Sequence, residues 1–146
     1  MSQLRTGRIL WLAGDGVSAL RYAVAEDRIA IVDDDEAVRD SLKLLLEAYG
    51  LGVGTYGSAQ EFLASGGERA SWCLLLDVHM PGMSGVELLR RLKAGASRIP
   101  AIVMTGSPDA ALRRQALEAG AHAVFEKPVD DKMLLGLINS IAASRG

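Results

Sequence analysis

A single cysteine stands in this chain of 146 residues, so no internal disulfide can form and nothing points to an oxidising compartment. Cys73 opens an apolar run and reads as a small buried hydrophobe rather than a reactive thiol. Long apolar stretches are missing too, none approaching the roughly 20 residues needed to span a bilayer. Arg5 and Arg8 do precede Ile9-Leu10-Trp11-Leu12-Ala13, but Gly14-Asp15-Gly16 cuts that run and no convincing Ala-x-Ala cleavage pattern follows. No secretory signal or membrane contact is therefore expected, and the cytoplasm is the default compartment. Excess positive charge is absent as well. A formal net charge of −2 gives no bulk reason to bind nucleic acid, so a DNA-related role needs a partner or a further domain. His122 has no partner at zinc-ligand spacing and reads as a surface residue.

What is present suits a globular domain with a good core: 49% apolar and 23% charged residues in a length typical of one domain. From about Arg28 onward, short β-type runs alternate with longer helical patterns, the signature of a parallel α/β sheet. The first helix is expected from about Glu36 to Tyr49, with Val38, Leu42, Leu45, Leu46 and Tyr49 on one face and Gly50 as its stop. Leu51 to Tyr56 reads as a glycine-diluted strand. Ser58-x-x-Glu61 and Ser84-x-x-Glu87 are capping-box patterns, and the helix after Ser84 should turn Val86, Leu89 and Leu92 inward. A short helix from about Asp109 to Ala119 follows. The last runs from near Asp130 to near Ser144, with Met133, Leu134, Leu137, Ile138 and Ile141 on one face. Five strands and five helices with right-handed crossovers make a doubly wound three-layer sandwich. Residues 1–27 do not fit the alternation and read as an N-terminal extension, either an extended arm or a helical arm packed on this domain or a second subunit.

The chemistry gathers at strand ends. Cys73-Leu74-Leu75-Leu76 delivers Asp77 just before a turn at Met80-Pro81-Gly82. Ile29 to Val32 runs into Asp33-Asp34-Asp35, Ile99 to Met104 runs into Thr105-Gly106, and Ala123 to Glu126 delivers Lys127 before Pro128. In a parallel sheet all four ends meet at one edge, where open α/β sheets place ligands. Acids, a hydroxyl and an ammonium around one aspartate suit a cation and a phosphoryl group.

Those pieces, Val32-Asp33-Asp34-Asp35-Glu36, Leu76-Asp77-Val78-His79-Met80-Pro81-Gly82-Met83-Ser84-Gly85, Met104-Thr105-Gly106 and Glu126-Lys127-Pro128, resemble the receiver domain of two-component response regulators. The resemblance covers about residues 28 to 143, with 28–146 taken as the receiver, and implies the five-stranded CheY-like, flavodoxin-like sandwich. Asp-Glu-Ala-Val-Arg and Met-Ser-Gly-Val-Glu-Leu are closest in wording to the nitrogen-fixation (FixJ-like) type, whose receivers often precede a helix-turn-helix domain. The sequence closes just after the last helical pattern, so either it is a single-domain regulator or an effector domain lies outside it.

On this reading Asp77 is the nucleophile that forms an aspartyl phosphate. Asp33 and Asp34 beside it would repel it without a cation, and a small hard ion with oxygen ligands points to Mg²⁺. The resemblance implies that Asp34 and Asp77 bind the metal directly, that the His79 main-chain carbonyl adds a third oxygen, and that Asp33 acts largely through water. Lys127 pairs with Asp77 before reaction and with a phosphoryl oxygen after it, and the Thr105 hydroxyl donates to another. The Lys127-Pro128 bond is cis in this family. The donor is a histidine kinase or histidine phosphotransfer protein, and the face of the fourth helix and fifth strand is a possible homodimer surface.

Blander roles are expected for several neighbours. Asp35 reads as a helix N-cap, the His79 imidazole as exposed, and Arg90, Arg91, Arg113 and Arg114 as solvated helix faces rather than a nucleic-acid patch. One position departs from the family: Val124 stands three residues before Lys127, where an aromatic switch residue is usual, and Phe125 is displaced to the other side of the strand. A docking module that is never phosphorylated would lack some of these groups, and none is missing. A small-molecule phosphatase would carry an acid where His79 stands.

Overall fold

The computed structural model describes residues 28–107 and 109–145; the readings made for residues 1–27 lie outside them. The elements run β1 (Arg28–Val32), α1 (Glu36–Ala48), β2 (Gly52–Tyr56), α2 (Ala59–Ala64), α3 (Gly67–Ala70), β3 (Ser71–Asp77), α4 (Gly85–Ala94), β4 (Ala101–Thr105), α5 (Ala110–Glu118), β5 (Ala123–Glu126) and α6 (Asp131–Arg145). All strands are parallel in the order β2-β1-β3-β4-β5. The chain winds outward from β1 to β2, then returns across β1 to build the other half. The reversal falls between β1 and β3, the point where a doubly wound sheet opens a crevice.

Alternation along the strands divides the core into two layers. Ala30, Val32, Leu74, Leu76, Val103 and Val124 face the side covered by α2, α4 and α5. Ile29, Ile31, Cys73, Leu75, Ile102 and Met104 face α1 and α6, against Leu46, Leu134, Ile138 and Ile141. Every residue of β3 is buried, as befits a central strand covered on both faces. Each fully buried aliphatic side chain contributes about 1.5–3 kcal/mol relative to exposure, so this double-sided burial is what fixes the strand ends in place.

Caps set the helix starts. The Asp35 carboxylate accepts the Ala37 N–H at 2.9 Å, as expected of an N-cap. Ser84 and Glu87 form a reciprocal capping box. The Ser58 pattern is only half of one. Its hydroxyl accepts from the Glu61 N–H, but the Glu61 carboxylate reaches back to the Gly57 N–H instead of that of Ser58.

Three further expectations are corrected. The described residues hold six helices rather than five, because Gly66 at φ +76° opens the four-residue α3, too short to show a period. Tyr49 is 65% exposed: α1 ends at Ala48, and Tyr49 leaves the apolar face with cap dihedrals of −99° and 14°. Met133 is also exposed, since five positions before Ile138 lie well off the arc that α6 buries, and half-buried Leu135 packs there instead.

Candidate functional site at the switch point

Register brings the acids level. Val32 pairs with Leu76, so Asp33 and Asp77 emerge side by side at the carboxyl ends of β1 and β3. Across the next two ladders Asp77 pairs with Met104 and Thr105 pairs with Glu126, which places Lys127 at the same edge. Carboxylate oxygens of Asp33, Asp34 and Asp77 all lie within 4.8 Å of one another. The sequence therefore named four groups that the fold does assemble: Asp33, Asp34, Asp77 and Lys127.

Asp33 is fully buried and held at every polar atom. Its N–H donates to the Tyr56 carbonyl at 3.1 Å. One carboxylate oxygen accepts the Asp35 N–H at 2.9 Å, and the other accepts from Lys127 Nζ at 2.9 Å. Its carbonyl accepts from Arg39 Nη1 at 2.7 Å. Asp34 is exposed. Asp77 is 5% exposed and pairs with Lys127 at 3.3 Å. The ammonium thus lies nearer to Asp33 than to Asp77, a partner the sequence did not suggest. Arg39 was missed as well. Its signal lay in the spacing, six residues after Asp33 at the end of the first turn of a helix whose side chains lean back toward its start.

Electrostatics follow from this crowding. Burial raises the Asp77 carboxyl above its ordinary range, the nearby Asp33 charge raises it further, and Lys127 offsets only part of this. For Lys127 burial alone would lower the pKa, but the Asp33 hydrogen bond and the charges of Asp77 and Asp33 outweigh it, and the net shift is upward. A cluster of carboxylates with one ammonium retains excess negative charge. An all-oxygen donor set with that charge can hold a hard divalent cation.

Thr105 is buried at the same edge, but its hydroxyl is turned to its own loop. It donates to the Ser107 carbonyl at 3.2 Å and accepts the Ser107 N–H at 3.1 Å. The His79 side chain is exposed, as expected, and its imidazole is outside the acidic cluster. The Lys127–Pro128 bond is cis. Val124 is buried on the α5 side while Phe125 packs on the α6 side, so the displaced ring faces the opposite layer. Arg113 does more than solvate a helix face: its Nη1 donates to the Val124 carbonyl at 3.2 Å. His122 is exposed, and Cys73 is buried with its thiol pushed up to about 12, chiefly by desolvation.

A buried aspartate between acids and a lysine stands at the switch point of a five-stranded parallel sheet, an arrangement that can serve phosphoryl transfer. Comparison with known proteins agrees: residues 29–139 match the response regulator receiver domain, and the chain belongs to that family. It is 43% identical over 112 residues to the transcriptional regulatory protein FixJ of Bradyrhizobium diazoefficiens, covering 77% of this chain and 55% of the relative. To the response regulator TmoT of Ectopseudomonas mendocina it is 42% identical over 115 residues, covering 79% and 52%. The crystal structure of FixJ-N superposes with a TM-score of 0.72 at 40% identity, covering 80% of this chain and 93% of that one. The chain spans about half the length of the curated relatives it matches. It is thus a receiver domain of two-component signal transduction, a class that takes a phosphoryl group on aspartate. Among the described residues no helix is long and apolar enough to cross a membrane.

Proposed function

We propose that Asp77 is the phosphoacceptor and that the phosphoryl group comes from a phosphohistidine on a histidine kinase or histidine phosphotransfer protein. One observation carries this reading: Asp77 is the buried acid that shares Lys127 with Asp33, at the sheet's switch point. An ionised Asp77 oxygen attacks phosphorus, the phosphorus–nitrogen bond breaks, and the departing imidazole takes up a proton. Such transfers need mainly positioning and cationic stabilisation of the equatorial oxygens. Lys127 supplies one fixed cation, and its hydrogen bond to Asp33 keeps the ammonium at the acceptor before reaction. Thr105 must exchange its Ser107 partners to donate to a phosphoryl oxygen.

Mg²⁺ fits the donor set. Asp34 and Asp77 would hold it, with the His79 main-chain carbonyl as a third oxygen and Asp33 acting through water. When bound, it supplies charge neutralisation at the transferring oxygens. The domain is read as a switch rather than a turnover enzyme, acting in the cytoplasm, with the receiver beginning at residue 28 after an N-terminal extension. The printed names of its FixJ relatives support transcriptional output through an effector domain or partner. The α5–β5 face, the fourth-helix face of the sequence reading, is the candidate surface for homodimer formation.

Incubation of pure protein with acetyl phosphate and Mg²⁺ tests the reading. A stable one-phosphoryl adduct is expected. No adduct would indicate a constitutive docking module, and rapid phosphate release would indicate a phosphatase.

A further inference from the structure

Asp34 is the least restrained member of the acidic cluster. Its side chain is exposed, and its carboxylate accepts no hydrogen bond among the described residues, whereas Asp33 is bonded at both carboxylate oxygens, its N–H and its carbonyl. The backbone therefore decides where Asp34 stands. A peptide unit is planar, so the direction of the Asp33 carbonyl also fixes the Asp34 N–H and Cα. That carbonyl is bonded to Arg39 Nη1 at 2.7 Å.

Arg39 is itself well located. Its N–H donates to the Asp35 carbonyl at 3.1 Å, within the first turns of α1, and its half-buried side chain returns over the helix start. On its other flank lies Gly57, where an added Cβ would stand 3.5 Å from Arg39 Nη1 and 3.4 Å from a Glu61 carboxylate oxygen. The guanidinium therefore lies between the acidic turn and the loop after β2.

We infer that Arg39 is a positioning residue for the metal site: it holds the Asp33–Asp34 peptide unit so that the Asp34 carboxylate stays with those of Asp33 and Asp77. This rests on the proposed metal reading and deepens it. Charge and geometry oppose each other here. A cation beside three carboxylates by itself weakens the binding of another cation, whereas a fixed peptide plane strengthens it. The sign of the effect of removing Arg39 shows which one governs.

A MgCl₂ titration at constant ionic strength, followed by the amide shifts of Val78 and Lys127, compares wild type with Arg39→Met, Arg39→Lys and Asp34→Asn. Thermal unfolding in EDTA records the folding of each variant separately. Arg39→Met is expected to bind Mg²⁺ about tenfold more weakly despite losing a positive charge, the usual scale for a lost outer partner of a metal ligand. Arg39→Lys should fall between it and wild type. Equal or tighter binding by folded Arg39→Met overturns the inference and leaves the metal reading intact. Should that variant not fold, Arg39→Lys decides, and wild-type affinity there overturns the inference. Absent Mg²⁺ binding by wild type, or undiminished binding by Asp34→Asn, would instead remove the metal reading itself.

Discussion

Lys127 donates to Asp33 at 2.9 Å and stands 3.3 Å from Asp77, so one ammonium ties together two strand ends that come from opposite halves of the sheet. Its side chain is about a quarter exposed and that of Asp33 is fully buried. Lys127→Met strands the Asp33 charge and should cost roughly 1–3 kcal/mol near neutral pH. The lysine pKa is raised in the folded state, so its contribution is complete below the ordinary lysine value and is lost as pH rises through the folded one. Urea denaturation at pH 7 and at strongly alkaline pH checks this. A mutant as stable as wild type at pH 7 contradicts the pairing.

Asp77 has the opposite sign. Its folded pKa is raised by burial first and by Asp33 second, so the folded state holds the proton more tightly than the unfolded chain. Stability therefore falls as pH rises from the ordinary aspartate value through the folded one, and the cost persists above it. In EDTA at pH 7, Asp77→Asn should melt a few degrees above wild type, on the scale of several degrees per kcal/mol for a small domain. The gain should fade under acid conditions, where wild type is protonated. A mutant less stable than wild type at pH 7 goes against the charge-crowding account.

Much of this arrangement was legible beforehand, for definable reasons. Apolar runs ending in Asp33, Asp77, Thr105 and Lys127 gave four strand ends, and parallel topology left them one edge to share. The period-two rule correctly separated Val124 from Phe125. What stayed hidden depends on reach and closeness rather than on pattern. Whether Lys127 leans to Asp33 or to Asp77 is a matter of a few tenths of an ångström. The Arg39 bond to a carbonyl leaves no trace in hydrophobic periodicity, nor does the Thr105–Ser107 pairing. Tyr49 was misplaced because the helix ends one residue before it, and Met133 because the arc that α6 buries centres on Leu134, Ile138 and Ile141 and leaves it outside.

Gly85 illustrates the hidden kind. An added Cβ there would lie 2.5 Å from the Asp77 carbonyl oxygen and 2.9 Å from Val78 Cα, backbone atoms that no side-chain rotation can move aside. Gly85→Ala should cost about 1–3 kcal/mol by overpacking and slow phosphorylation by shifting Asp77. Gly106→Ala, with nothing within 4 Å, is the control for overpacking and should leave stability near that of wild type. Chemical denaturation and initial labelling rates measure both, and near-wild-type behaviour of Gly85→Ala would contradict the close approach.

Release of Thr105 from Ser107 predicts where a signal travels. If the hydroxyl turns to an acyl phosphate, both Ser107 bonds break and the loop leading into α5 must rearrange. Val124 is small and stiff and cannot swing into the vacated space as a ring would. Its carbonyl is instead bonded to Arg113 of α5, so movement of the helix is felt at β5. Amide-shift changes on forming the beryllofluoride adduct should extend from Thr105 through Ala119 to Val124, and Val124→Tyr should sharpen the two-state response. Shifts confined to residues touching the adduct would exclude the α5–β5 face as output.

The central claim is that Asp77 alone carries the phosphoryl group. Intact-mass measurement of wild type and Asp77→Asn after treatment with acetyl phosphate and Mg²⁺ tests it most directly. Wild type should gain the mass of one phosphoryl group and Asp77→Asn none, while a gain that persists in Asp77→Asn would contradict the assignment.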